Sequence, residues 1–169
     1  MNFPINIEQW RLINGYDNYE ISSHGRVRNN KTSRIMKLIL NRNGYFTIYL
    51  SRDGQPKFHN VHRLVAFAFL DRNEDQTDVD HINHNRKDNR IKNLRDVTRK
   101  QNQMNKKLNP RNTTGHNGVS WYKNYKKWVA YIRIDSVRHH LGYFENKYEA
   151  IKRVRAESSR LGFHKNHGL

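Results

Sequence analysis

In the first third of the chain, glycine follows Asn, His or Asp at four points: Asn14-Gly15, His24-Gly25, Asn43-Gly44 and Asp53-Gly54. Glycine accepts positive φ without steric cost, and Asn or Asp before it tolerates the same region, so such pairs mark tight reversals. Between them lie short runs of β-branched and aromatic residues, such as Tyr45-Phe46-Thr47-Ile48-Tyr49-Leu50. The last two turns bracket that run, as in an antiparallel meander. Residues 8–60 are therefore expected to form short antiparallel strands. Arg26, Arg28, Lys31, Arg34, Lys37, Arg42 and Arg52 are interleaved with them. A sheet that carries aromatic and basic residues on one face can lie along a nucleic-acid backbone.

The apolar period then changes. Val61, Leu64, Val65, Ala68 and Phe69 recur at helical spacing, which predicts a short core helix over 61–70. Val79-Asp80-His81-Ile82 reads as a strand, Asn83 to Asn89 as a loop, and Leu94 to Val97 as an extended return. Thr98 with Gln101 fits a capping box, so a helix is expected from there to about Lys107. Asn109 to Asn112 has the composition of a linker. Beyond it, Gly118–Tyr122, Trp128–Ile134 and Val137–Tyr143 read as three strands, with a lysine-rich turn and then Asp135-Ser136 between them. Asn146 is placed to cap a helix over Lys147–Arg160 whose buried side carries Ala150, Ile151 and Val154. The tail from Gly162 is expected to fray.

Charge narrows the partner. Lys and Arg number 32 against 15 Asp and Glu, a net +17 over 169 residues, and such an excess points first to nucleic acid. With no cysteine there is no disulfide, no Cys-ligated zinc and no thiol nucleophile. The N-terminus lacks the basic-then-apolar pattern of a signal peptide. The longest apolar stretch, Leu64 to Leu70, is too short to span a membrane. A cytoplasmic protein is expected, with no membrane partner.

Asp80-His81, Asn93 and Asn102 form the constellation that can carry chemistry. Cleaving a phosphodiester needs an activated water, a cation on the phosphate oxygens, and groups held in place. A carboxylate and an amide oxygen suit a hard cation, Mg²⁺ or Mn²⁺. A neutral histidine is a competent base near neutral pH. On an extended segment Asp80 and His81 point to opposite sides, so one can face a metal while the other faces the phosphate. Asn102 falls in the first turn of the expected helix, and Asn93 stands where its side chain can brace the loop. By composition alone the same residues are equally ordinary members of polar loops.

A resemblance goes further. Val61-His62-Arg63-Leu64-Val65-Ala66, Val79-Asp80-His81-Ile82-Asn83, Asp88-Asn89, Asn93-Leu94-Arg95, Val97-Thr98 and Asn102 resemble, in order and spacing, the HNH nucleases of phage and intron homing endonucleases. The resemblance implies a ββα-metal fold over residues 61–108, with Asp80 and Asn102 as metal ligands, His81 as general base, Asn93 as the bracing asparagine and one divalent ion per site. The last position of the motif is Asn102 here rather than His, as in many phage members. His62 is read as structural or as a phosphate contact rather than a catalyst.

The flanks have resemblances of their own. Trp10, Ile13, Gly15-Tyr16, Tyr19-Glu20-Ile21-Ser22 and Gly25-Arg26-Val27 are similar to the small DNA-binding module often joined to such nucleases. Residues 115–156 resemble an AP2-type domain through Gly118-Val119, Trp128 to Arg133, Leu141 to Phe144 and Glu149-Ala150. That family lays a three-stranded sheet in the major groove, which implies that Asn117, Ser120, Tyr122, Tyr131, Arg133, Arg138 and His140 face DNA. Arg26, Arg28 and Arg63 are further expected DNA contacts.

The fold class expected is α+β: an N-terminal β module over 1–60, a ββα-metal core over 61–108, a linker over 109–114, and a sheet-plus-helix domain over 115–169. The function expected is site-specific cleavage of double-stranded DNA by a phage-type monomer, or by a dimer if both strands are cut. A non-catalytic AP2-like regulator and a basic RNA-binding protein are the rival readings.

Overall fold

The computed structural model describes residues 7–71 and 77–168, in two compact units that divide between Thr98 and Arg99. The first unit holds β1 (Trp10–Ile13), β2 (Tyr16–Ser22), β3 (Val27–Asn29), β4 (Ile39–Leu40), β5 (Phe46–Arg52), β6 (Gln55–Asn60), α1 (Val61–Phe69), β7 (Asp78–His81) and β8 (Leu94–Val97). The N-terminal meander is split into two three-stranded antiparallel sheets, β1-β2-β3 and β4-β5-β6, while β7 and β8 pair alone. Turn chemistry dictates the hairpins. Asp53 and Gly54 both take positive φ, 52° and 76°, the two-residue reversal that joins Arg52 to its partner Gln55.

One core joins these elements. Ile13, Ile21 and Val27 come from the first sheet, Ile48 and Leu50 from the second, Val61, Leu64, Val65 and Phe69 from α1, and Leu94 from β8. Each such side chain contributes about 1.5–3 kcal/mol on burial. The N-terminal strands, α1, β8 and, through Val79, the strand that carries Asp80 and His81 pack on this one core.

The second unit holds α2 (Arg99–Gln103), β9 (Val119–Tyr122), β10 (Lys127–Ile134), β11 (Val137–Phe144) and α3 (Lys147–Arg160). Its sheet runs β11-β10-β9. Val119, Ala130, Ala150 and Val154 form the core between sheet and α3, with Trp128, Leu141, Phe144 and Ile151 packed around them. The Asn146 side chain accepts a 2.7 Å hydrogen bond from the Tyr148 N–H, capping α3 as expected. Asp135 and Ser136, with φ of 48° and 71°, close the β10–β11 hairpin. Among the described residues no helix is long and apolar enough to cross a membrane.

Three expectations are corrected here. α2 stops at Gln103 rather than Lys107, because its final turn tightens: the Asn105 N–H bonds the Asn102 carbonyl (3.2 Å), and α2 has no apolar face to bury. Residues 109–114 are a folded loop. The Asn112 side chain accepts from the Thr114 and Gly115 N–H groups (3.0 and 2.7 Å), and Thr114 Oγ1 donates to the Val119 carbonyl (3.0 Å). The tail does not fray over its described length, since His164 N–H reaches the Met104 carbonyl (3.2 Å) and Gly168 N–H the Lys106 carbonyl (2.9 Å). Leu169 lies outside the described residues.

At Gly118 two backbone segments of this unit approach closely. The Gly118 carbonyl accepts from Tyr131 N–H at 2.8 Å, its φ is +74°, and a Cβ there would sit 2.3 Å from the Tyr131 carbonyl oxygen. Gly118→Ala is expected to destabilise the second unit by about 1–3 kcal/mol. Thermal unfolding checks this, at about 4–8 °C per kcal/mol for a unit of this size; an unchanged melting temperature refutes it.

Candidate active site

The chemistry-bearing residues of the first unit cluster where β7 ends. Asp80 and His81 are its last two residues, 8% and 5% exposed. Antiparallel pairing sets Arg95 opposite Asp80 and Leu94 opposite His81. Arg95 uses that register: its Nε and Nη2 both donate to Asp80 Oδ2, at 3.1 and 2.8 Å. A buried carboxylate needs such a counter-charge, since removing one partner of a buried pair is strongly destabilising.

The loop after β7 is laced by asparagines. Asn93 ends a 3₁₀ turn over Ile91–Asn93. Its Oδ1 accepts from Asn83 N–H (3.0 Å), its Nδ2 donates to the Asp88 carbonyl (2.8 Å), and its own carbonyl accepts from Ile82 N–H (2.9 Å). One amide thus ties both ends of the loop. Arg90 grips Asp88 with two bonds of 2.6 Å and holds that carboxyl below its usual range. His84, at φ 61°, sits in this loop with its N–H on the His81 carbonyl (3.0 Å).

His81 lies among rings. His62 of α1 is 5.0 Å from it and Tyr45 5.9 Å, while Tyr45 and His62 are 4.9 Å apart. Its Nε2 is 3.1 Å from Asn89 Oδ1, and Asn89 is itself buried. Burial pushes the His81 pKa below the ordinary histidine value; the Asn89 bond and the Asp80 and Asp88 charges oppose this. The imidazole is therefore neutral near pH 7, the form a base requires. His62 is held lower still, at about 3, by burial first and then by His81 and Arg63. Its Nδ1 is buried without a partner. His62 is thus a core histidine, the structural one of the two readings its sequence left open.

Asn102 is half-buried in α2 of the second unit. Among the described residues, no group of three or more His, Cys, Asp or Glu could hold a metal. Asp80 offers a carboxylate, a hard oxygen donor. This fits Mg²⁺ or Mn²⁺, which keep several waters and take substrate phosphates as further ligands.

The expected DNA contacts divide into two kinds. Arg26 and Arg28 are engaged internally: Arg26 forms an ion pair with Glu8, Arg28 with Glu20 at 2.6 Å, and both guanidinium groups lie over Trp10. Much of their charge is offset within the protein, which the sequence did not disclose. Arg63, in contrast, is exposed on α1. In the second unit, Trp128 and Ala130 pack toward α3, so alternation sends Lys127, Val129, Tyr131 and Arg133 to the other face. Register places Tyr122, Ser120, His140 and Arg138 beside these four in turn. Tyr122, Tyr131, Arg133, Arg138 and His140 thus share one open sheet face, with the Arg138 guanidinium 3.8 Å from the Tyr131 ring centre. Tyr125 and Tyr143 join Tyr122 and His140 there in a ring cluster that the sequence reading missed. Asn117 is drawn aside toward His167 of the tail, at 3.5 Å.

Comparison with known proteins gives this geometry its family. Residues 59–104 match the HNH endonuclease family model and residues 8–51 the NUMOD4 motif. The chain is 38% identical over 100 residues to the DNA endonuclease I-HmuI of Bacillus phage SP01, a match over 57% of this chain and 58% of that protein. It is also 38% identical over 88 residues to an uncharacterized HNH endonuclease of Acanthamoeba polyphaga mimivirus, covering 52% of this chain and 26% of the relative. A solved structure described as DNA binding and cleavage by the HNH homing endonuclease I-HmuI superposes with a TM-score of 0.52 at 38% identity, over 54% of this chain and 53% of that one. The HNH and NUMOD4 matches end before residue 105, so the C-terminal sheet and α3 lie beyond both.

The buried rings carry a pH signature. His62 titrates near 6.5 when unfolded and at about 3 when folded. The unfolded chain therefore binds more protons between those values, and stability is full above pH 6.5 and falls as pH drops toward 3. One such site contributes a slope of up to about 1.4 kcal/mol per pH unit. Urea unfolding at pH 7 and pH 4.5 is expected to show a smaller loss for His62→Phe than for the wild type; equal losses would count against the assignment.

Proposed function

We propose that this chain is a site-specific DNA endonuclease of the homing type, which hydrolyses phosphodiester bonds with His81 as general base. The observation that carries this reading is a buried, uncharged histidine beside a buried aspartate at the end of β7, inside a stretch that matches the HNH endonuclease family. His81 takes a proton from water as that water attacks the phosphorus. Asn93 keeps the loop around it closed. A divalent ion, Mg²⁺ or Mn²⁺, held by Asp80 and Asn102 would supply Lewis-acid stabilisation of the leaving 3′-oxygen. Arg95 aims the Asp80 carboxylate through its two hydrogen bonds.

The flanks are proposed as DNA-holding surfaces. The NUMOD4 stretch brings a basic, aromatic β surface, and Arg63 stands exposed on the helix that follows. The C-terminal unit is proposed as an AP2-like reader of double-stranded DNA that presents Tyr122, Tyr131, Arg133, Arg138 and His140. Arginine is the residue that most often reads guanine in the major groove, and Arg133 and Arg138 are adjacent cross-strand partners on the open face. One active site per chain suits a nicking monomer, and the relatives suggest a phage origin and action on DNA inside a host cell.

The deciding experiment is cleavage of supercoiled plasmid bearing candidate target DNA, with Mg²⁺ or Mn²⁺ against EDTA. The wild type is expected to nick or linearise the plasmid only with metal. His81→Ala is expected to lose about 10²–10⁴-fold in rate while still shifting duplex DNA in a gel. Cleavage at the wild-type rate by His81→Ala removes the base assignment. Clean DNA binding with no cleavage in any divalent metal favours the regulator reading.

A further inference from the structure

Arg86 stands exposed in the loop after β7, and its charge is not offset as those of other arginines in this unit are. Arg26, Arg28, Arg90 and Arg95 each grip a carboxylate. Arg86 is held instead by neutral groups. Its Nη1 donates to the Asn43 carbonyl at 2.8 Å, and its guanidinium carbon lies 4.8 Å from the centre of the Tyr45 ring. No ion pair joins it to a carboxylate among the described residues. A guanidinium over a ring keeps its full charge, and it has five N–H donors in a fixed fork. One bond to a carbonyl leaves most of those donors for a ligand.

Both sides of this perch are braced. Residues 41–45 form the β4–β5 turn: Asn41 N–H bonds the Tyr45 carbonyl (2.9 Å), Gly44 N–H bonds the Asn41 carbonyl (3.0 Å), and Asn41 Oδ1 accepts from the Asn43 and Tyr45 N–H groups (both 3.0 Å). On the loop side, Asp88 N–H bonds the Asn85 carbonyl (3.0 Å) and Asn85 Oδ1 accepts from Lys87 N–H (3.1 Å). The far end of the loop is seated as well. Buried Asn89 packs on Gly25, where φ is +82° and a Cβ would lie 2.7 Å from Asn89 Cβ, and Ile91 N–H bonds the Ser23 carbonyl at 2.8 Å. The perch adjoins the site: the Tyr45 ring that carries Arg86 is 5.9 Å from the His81 ring and 4.9 Å from that of His62. A cation held this way has already given up much of the rotamer freedom that a loose arginine loses on binding.

From this geometry we propose that Arg86 is a substrate-binding residue, and that the β4–β5 turn presents its guanidinium to the DNA phosphate beside the one hydrolysed at His81. The two unbridged oxygens of a phosphodiester match the fork of the guanidinium, and the Tyr45 ring sets the spacing between cation and imidazole. If Arg86 served only to tie the loop to the turn, it would need neither its charge nor its exposure, because a neutral donor reaching the Asn43 carbonyl would do the same. The placement beside the hydrolysed phosphate rests on the reading of His81 as general base, while the phosphate contact itself does not.

The test uses the whole chain. Binding of a labelled duplex is followed by fluorescence anisotropy in EDTA over a range of salt concentrations. Arg86→Gln loses the charge but keeps an amide donor. It is expected to weaken binding about 10-fold and to reduce the log–log salt slope by about 0.9, the contribution of one phosphate contact. Its melting temperature is expected to stay within about 3 °C of the wild type. Arg86→Lys restores a charge and is expected to recover the wild-type slope. An unchanged slope in Arg86→Gln, with or without a fall in melting temperature, overturns the proposal. Placement is read on a duplex whose cut has been mapped, with a neutral methylphosphonate in place of one phosphate flanking the cut at a time. At one flank the substitution is expected to weaken the wild type and to weaken Arg86→Gln no further; additional loss in the variant at both flanks overturns the placement. Because anisotropy needs no cleavage, a reduced slope with no cleavage in any divalent metal sinks the nuclease reading and leaves the phosphate contact standing.

Discussion

Two polar side chains, Asp80 and His81, are buried at the end of a short strand, and burial without partners is costly for both. The surroundings are organised around meeting that demand. Arg95 is opposite Asp80 because β7 and β8 pair in one register, and a one-residue slip would leave the carboxylate without its cation. Asn89 meets His81, and Asn93 closes the loop that carries Asn89. The same burial that makes pairing obligatory keeps the imidazole neutral, so structural necessity and chemical competence have one cause.

The two three-stranded N-terminal sheets have a second role in this light. Their apolar faces supply half of the core on which α1 and β8 rest, and their tight turn at Ser22–Arg26 supports the loop beneath His81. A module that its resemblance sets apart is thus mechanically part of the scaffold that carries Asp80 and His81. The partial internal neutralisation of Arg26 by Glu8 and Arg28 by Glu20 points the same way: these basic residues hold the sheet together over Trp10.

What the sequence made legible was local. Asp53-Gly54 and Asp135-Ser136 encode their own turns, Asn146 caps the helix that follows it, and α1 announces its buried face by spacing. Asp80, His81 and Asn93 stood out by motif, and the structure gathers these three in one unit; Asn102 belongs to the other. What stayed hidden was long-range. The Asp80–Arg95 pair depends on strand register, the Gly25–Asn89 fit on the approach of segments far apart in sequence, and the anchoring of the tail on backbone bonds that no side chain advertises. α2 was over-extended because a capping signal fixes where a helix begins, and only a buried apolar face carries it onward. Residues 109–114 looked like a linker because Asn and Thr are common in loops of every kind, including those folded tightly around one side-chain amide.

The shared core has a consequence for how such proteins can be recombined. The ten apolar residues that fill it are drawn from both sides of residue 60, so an exchange of the N-terminal segment for an unrelated one would expose half of that interior and remove the support beneath the loop after β7. The chain divides into its two compact units between Thr98 and Arg99. The segment that follows builds a core of its own from its sheet and helix, so it carries the means to hold its shape when its surface residues change.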